Sequence, residues 1–316
     1  MSKFKGLPKD WDCTHAPILQ LREQLEGGDL LPDVHQKPPA PSACNEIFVL
    51  VHGFNNHMGE AWESYHAFCF SQRERAYPLL TLPALEEMLA ELFWPGDAAW
   101  GLFDLLDFLA YPAAVGTAQN AAPRLAQHLR TMPSLRTVHF IGHSLGGRLV
   151  LETIDDLRRN GGPMVGKVCL MAAAVPVFKV VSGGALAEAM NHAGEVYILY
   201  SEKDIVLHYT FPPGQTVAVG DEGFFPEALG LHGPPPGVNG RIDKKNINGG
   251  HGDYWDPSKG LPAENAARAI ADFCGFGSRE RTMDSRSPGA APRPSTAESR
   301  ELGYARTFGL RLNNLV

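Results

Sequence analysis

The chain has 316 residues, 44% of them hydrophobic, which is enough for one sizeable core rather than a string of small modules. A formal net charge of −7 with no Lys/Arg cluster argues against a nucleic-acid partner. Five scattered cysteines give neither a disulfide framework nor paired metal-ligand spacing, so no metal is expected. No run approaches the roughly 18–20 apolar residues of a membrane span, and MSKFKGLPKDWDC lacks the apolar stretch of a secretory signal. The expectation is a cytoplasmic protein without an integral membrane segment.

Residues 1–44 read as an N-terminal extension, with a short helix in THAPILQLREQLEGGDLL and a proline-rich linker in LPDVHQKPPAPSA. From there a body expected over 45–275 alternates strands and helices. EIFVLV is a strand, HMGEAWESYHAFCFSQRERAY a helix and LAELFWPG a second strand. NAAPRLAQHLRTM is a helix with Pro123 in its first turn. TVHFIG is a strand, and LGGRLVLETIDDLRR is a helix stopped by Asn160, Gly161, Gly162 and Pro163. KVCLMAAAV and EVYILYS are continuous apolar strands, RIDKKNI is a last candidate strand, and AENAARAIADFCG is a helix ending at Gly275. Short apolar strands alternating with helices predict an α/β protein, a mainly parallel sheet with helices on both faces. Residues 276–316, rich in Pro and Ser at first, read as a disordered tail. Its end, GYARTFGLRLNNLV, is apolar enough to dock on the body or on a partner, and the sequence does not choose.

In parallel sheets the chemistry lies beyond the carboxyl ends of the strands. HGFNN follows the first core strand, HSLGG the third and EKD the fifth, so all three fall on one edge. Gly142-His143-Ser144-Leu145-Gly146 matches the G-x-S-x-G elbow, in which a sharp strand-to-helix turn lifts the serine and only glycine leaves room at its flanks. Ser144 is therefore the candidate nucleophile, against the plainer reading of an N-cap serine. The Leu145 amide, at the start of the helix, is one candidate oxyanion donor, and the Phe54 amide in HGFNN is the second. Asn55 and Asn56 either brace that loop, touch substrate or complete a turn with their own side chains.

GHSLGG, with VLVHGFNN upstream, resembles the α/β-hydrolase superfamily of serine lipases and esterases. VHGFNN, the Trp94-Pro95 pair, GHSLGG and HGDYW together resemble a poorly characterised bacterial branch of it, over about Glu46 to Gly275. The resemblance implies an α/β-hydrolase fold, a Ser–Asp/Glu–His triad in that chain order and an oxyanion hole from the HG loop and the elbow. It also implies strands ahead of the HG strand, which are not evident here; either the extension replaces them or the sheet is trimmed.

Of twelve histidines, His251 lies in the glycine-bracketed loop NINGGHGDYW, where the resemblance implies the triad base. His232 is the runner-up, and His52 is read as holding the HG loop. For the acid, Asp204 fits the resemblance better than Glu202, and Asp253 sits too close in sequence to His251 to approach its ring usefully. WPGDAAWGLFDLLDFLAYPAAV offers Trp100, Leu102, Phe103, Leu106, Phe108 and Leu109 as pocket wall or, more simply, as a buried helix face. Whether the glycine-rich stretch 211–240 forms a lid is a question the sequence leaves open. These features predict a cofactor-free serine hydrolase acting on a small-molecule, lipophilic ester. An acyltransferase with the same triad, or a non-catalytic binding protein on the same scaffold, are the alternatives.

Overall fold

In the computed structural model, residues 16–276 are described apart from 24–27, 39–43, 55, 74–84, 86, 97–106, 219–221 and 239. Eight strands form one sheet in the order β2-β1-β4-β3-β5-β6-β7-β8: β1 Ile18–Arg22, β2 Leu30–Lys37, β3 Glu46–Val51, β4 Leu89–Phe93, β5 Thr137–His143, β6 Met164–Met171, β7 Glu195–Tyr200 and β8 Ile242–Asn246. β1 and β2 pair antiparallel. Every other neighbouring pair is parallel, with β3 central between β4 and β5 (Val51 opposite Leu92 on one side and Gly142 on the other). This is the α/β-hydrolase fold.

The helices are α1 Met58–Ser71, α2 Asp107–Thr131, α3 Leu145–Asn160, α4 Val177–Val180, α5 Ala187–His192, α6 Phe211–Thr216, α7 Leu229–His232 and α8 Leu261–Cys274. The chain steps from β3 outward to β4, then jumps back across β3 to β5 and continues the other way. Right-handed crossovers therefore put α1 on one face and α2 and α3 on the other. That reversal makes the ends of β3 and β5 the topological switch point, the place where ligands bind in open parallel sheets. Continuous apolar strands suit a sheet covered on both sides: Ile47, Phe48, Val49, Leu50 and Val51 of β3 are all buried. Helix α3 turns Val150, Ile154 and Leu157 inward at helical spacing, and α8 ends on Gly275 at φ 74°, a left-handed cap suited to glycine.

The structure corrects two readings of the sequence. The helix expected in THAPILQLREQLEGGDLL is instead the buried strand β1, and the segment read as linker carries β2. These are the strands ahead of the HG strand that the resemblance implies, so the sheet begins well before residue 45. Pro123 is also not in a first turn, because α2 starts at Asp107 and runs 25 residues with Pro112 and Pro123 inside it. Prolines within helices cost about 3 kcal/mol each. Here Tyr111, Val115, Ala118, Ala122, Leu125 and Leu129 form one buried stripe that holds the helix against the sheet despite them.

Candidate active site

The elbow is a consequence of local sterics. Ser144 sits at φ 54°, ψ −125°, a conformation that L-residues avoid and that costs on the order of 1–3 kcal/mol. The surroundings hold it there: its N–H donates to Met171 O (2.9 Å), and its carbonyl accepts from Gly147 N (3.0 Å) and Ala174 N (3.1 Å). A Cβ on Gly146 would lie 2.3 Å from the His52 carbonyl oxygen, so only glycine lets α3 start this close to the end of β3. Although Ser144 precedes α3, its side chain makes no helix-capping bond. Its Oγ lies 2.8 Å from His251 Nε2 instead.

His251 is carried by the loop between β8 and α8. Its Nδ1 lies 2.7 Å from Asp204 Oδ2. Asp204 follows β7 and is fully buried, and its other oxygen accepts from Leu207 N (3.0 Å). The two loops are tied together by Ser201, whose hydroxyl donates to Gly249 O (2.5 Å). Asp253 does not approach the imidazole; its carboxylate accepts from Gly250 N (2.7 Å) and shapes the loop. Glu202 is exposed in the turn, and His232 is exposed 3.9 Å from Glu227. Ser144, His251 and Asp204 are thus brought together, and the runner-up residues are not.

The HG loop runs alongside. A Cβ on Gly53 would come within 2.8 Å of Ser144 Cβ, which fixes the loop next to the serine. His52 donates through Nδ1 to Gly53 O (2.9 Å), leaving Nε2 to accept from Trp94 N (3.4 Å), while the Trp94 indole donates to His52 O (3.0 Å). The Tyr65 hydroxyl accepts from His52 N (2.9 Å) and donates to Leu92 O (2.5 Å), and burial pushes its phenol up. Asn56 turns its amide back onto the Gly53 and Phe54 carbonyls (3.3 and 3.1 Å), so it braces the loop. Asn55 lies outside the described residues. Among the described residues no backbone acceptor outside regular elements takes the Phe54 or Leu145 amide. Both amides come from segments that flank Ser144.

Several contributing residues were not anticipated. Arg22 of β1, wholly buried, donates to Asn56 O (3.3 Å) beneath the loop. His143, inside the elbow, reaches the loop of His251 (2.7 Å from His251 O). Beside the site Phe54, Tyr111 and Phe211 form an aromatic row, with edge contacts at 5.5 and 6.3 Å. The Tyr111 hydroxyl donates to Gln215 Oε1 (3.1 Å), and burial drives its phenol far up. Behind that row Glu222 is buried against Arg148 (3.0 Å through both nitrogens), Lys179 (3.2 Å), Gln119 (3.2 Å) and Gln215. Burial alone would raise the Glu222 carboxyl; the Arg148 and Lys179 cations outweigh it and hold the group below the usual carboxylate range. Of the expected wall, Trp100, Leu102, Phe103 and Leu106 lie outside the described residues, as do the side chains of Phe108 and Leu109. Among the described residues no cluster of three or more His, Cys, Asp or Glu is set to hold a metal, and no helix is long and apolar enough to cross a membrane.

A strand–turn–helix serine beside an imidazole and a buried carboxylate, at the carboxyl edge of such a sheet, defines the α/β-hydrolase class. The family model described as "Alpha/beta hydrolase of unknown function (DUF900)" matches residues 39–210, more than half of the chain, and the chain belongs to that family. No curated protein matches the sequence. Among solved structures the chain is similar to the NocB thioesterase domain, in covalent complex with a fluorophosphonate nocardicin G analog (16% identity, 75% of this chain and 97% of that one, TM-score 0.42). It is also similar to the hyperthermophilic esterase from the archaeon Pyrobaculum calidifontis (16% identity, 74% and 75%, TM-score 0.42). A mutant of the esterase rPPE gives 11% identity, 74% and 75% coverage, and a TM-score of 0.41. These likenesses concern fold and say nothing of substrate.

Proposed function

We propose that the chain is a serine hydrolase that cleaves a carboxylic ester through an acyl-enzyme. The observation that carries this reading is the pair of hydrogen bonds on one imidazole, 2.8 Å to Ser144 Oγ and 2.7 Å to Asp204 Oδ2. A serine hydroxyl is a poor nucleophile near neutral pH and needs such a base. His251 takes the Ser144 proton as Oγ attacks the carbonyl carbon. The oxyanion is held by the Phe54 and Leu145 amides, each worth about 2.7–4 kcal/mol in such sites. Protonated His251 then donates to the departing alcohol oxygen, and the tetrahedral adduct collapses to the acyl-Ser144 ester. Water, deprotonated by His251, attacks that ester and frees the acid. Asp204 keeps the His251 proton on Nδ1, so Nε2 faces Ser144 as an acceptor, and it stabilises the imidazolium. The aromatic row of Phe54, Tyr111 and Phe211 supports a lipophilic ester.

A fluorophosphonate probe tests the reading. Wild type labels at Ser144, as located by mass spectrometry, Ser144→Ala does not label, and His251→Ala labels far more slowly. Turnover of short esters falls on the order of a million-fold in Ser144→Ala. Folded wild type that neither labels nor hydrolyses acetyl to medium-chain esters, with detergent present, overturns the reading. Rates that fail to rise with acyl length overturn only the lipophilic part.

A further inference from the structure

The loop that carries His251 is rich in glycine, with Gly249, Gly250 and Gly252 around the histidine, and its internal bonds join Gly250 to Asp253 without touching the main chain of residue 251. An imidazole that must meet Ser144 Oγ at 2.8 Å needs its main chain held as well as its ring. The Asp204 carboxylate orients the ring. The main chain at residue 251 is tied to the neighbour of the serine: His143 Nε2 lies 2.7 Å from His251 O. A carbonyl oxygen only accepts, so His143 is the donor and carries a proton on Nε2. Its ring is buried and sits 5.0 Å from the His251 ring, 5.0 Å from Trp255 and 5.9 Å from Tyr254, all on the same loop. On its other side a Cβ on Gly53 would meet His143 Nδ1 at 3.1 Å, so the HG loop closes over the ring from there. One side chain therefore touches the serine turn, the HG loop and the histidine loop.

We infer that His143 is a positioning residue: its Nε2–H holds the His251 carbonyl and so sets the height of the His251 imidazole above Ser144. This rests on the roles proposed for Ser144 and His251. The elbow is held by three backbone hydrogen bonds at Ser144, and tethering the base to it directly fixes residue 251 of a glycine-rich loop against that turn. A displacement of about 1 Å at such a contact costs on the order of 100-fold in rate.

The experiment compares His143→Phe, which keeps a buried ring and loses the donor, with His143→Gln, whose amide nitrogen stands near the former Nε2. Steady-state ester hydrolysis and thermal melting are measured for both, and Ser144→Ala is the blank. The expected result is a kcat lowered about 10–100-fold in His143→Phe with KM changed much less, and most of the loss recovered in His143→Gln. Two-bond 15N–1H correlation spectra of wild type, with the His143 signals assigned by loss in the variants, show the proton on Nε2. A folded His143→Phe with wild-type kcat overturns the inference. A folded His143→Gln no better than His143→Phe overturns it as well, and so does a wild-type proton on Nδ1. Should His143→Phe fail to fold, the tautomer and the kcat of His143→Gln still decide. Absence of Ser144-dependent turnover in wild type overturns the parent reading, and the inference with it. Intact Ser144-dependent turnover in His143→Phe overturns the inference alone.

Discussion

Asp204 has two donors to satisfy, the imidazole of His251 on one oxygen and the Leu207 amide on the other, with no exposure to water. Replacement by Asn keeps the shape but puts an NH2 against one of those donors. The wrong His251 tautomer follows, with the proton on Nε2 and no acceptor left for Ser144. Asp204→Asn is expected to lower kcat about 10⁴-fold while the protein stays folded, measured by steady-state hydrolysis alongside circular dichroism. Gly146→Ala acts differently, because the added methyl would meet the His52 carbonyl at 2.3 Å. The main chain has to move, so both melting temperature and rate should fall, by about 1–3 kcal/mol in stability. An Ala variant with an unchanged melt would show that the β3 end yields freely. At this scale the sequence was legible where spacing encodes geometry. Glycines around Ser144 and His251 announce tight turns, and Asp204 sits just past a strand. Arg22 and His143 were not legible. Their partners are the carbonyls of Asn56 and His251, 34 and 108 residues further along the chain, and no local pattern records where a distant carbonyl will lie.

The elements repeat that division. β3, β5 and β7 are continuous β-branched and aromatic runs, and α3 shows a clean helical stripe, so each could be read from its own residues. β1 could not, because ILQLR suits a helix as well as a strand. Its conformation is decided by pairing with Glu91, Leu92 and Phe93 of β4, which also buries Gln20 and Arg22. The stretch around α6 is a third case. Its glycines and prolines leave open in the sequence whether it works as a lid; in the fold, Glu222 anchors its described part through the buried contacts to Arg148 and Lys179. Glu222→Gln would take the buried counter-charge from Lys179 and leave Arg148 only Glu152, 2.7 Å away and partly exposed, a loss of about 3–5 kcal/mol for comparable buried pairs. Because the folded carboxyl is held below its ordinary value, this contribution is complete above the usual carboxylate pKa of about 4.3 and fades as pH falls through the lower folded value. Melting curves of wild type and Glu222→Gln should therefore differ most near neutrality and converge in acid. A gap independent of pH would mean that packing, not charge, anchors the segment.

For the molecule as a whole, the sheet has one antiparallel pair, and β1 joins it to the parallel part. Deleting residues 1–38 would expose the edge of β4, five buried residues with unpaired backbone groups, and would remove Arg22 from beneath the HG loop. The truncated chain is expected to aggregate or lose cooperative melting, as judged by size-exclusion chromatography and circular dichroism. A monomeric, cooperatively melting product would show that the hairpin is dispensable. The family match covers residues 39–210 and so reaches neither this hairpin nor β8, the His251 loop and α8.

The position of β1 between β2 and β4 also has a consequence for synthesis. Ile18 pairs with Glu91, so the strand made first waits for a partner translated about 70 residues later. At 5–20 residues per second the wait is about 4–14 s. Throughout that interval a strand destined for complete burial has no sheet to join. β2 is the neighbour that emerges in time, and by pairing along one edge it leaves open only the edge that β4 later takes.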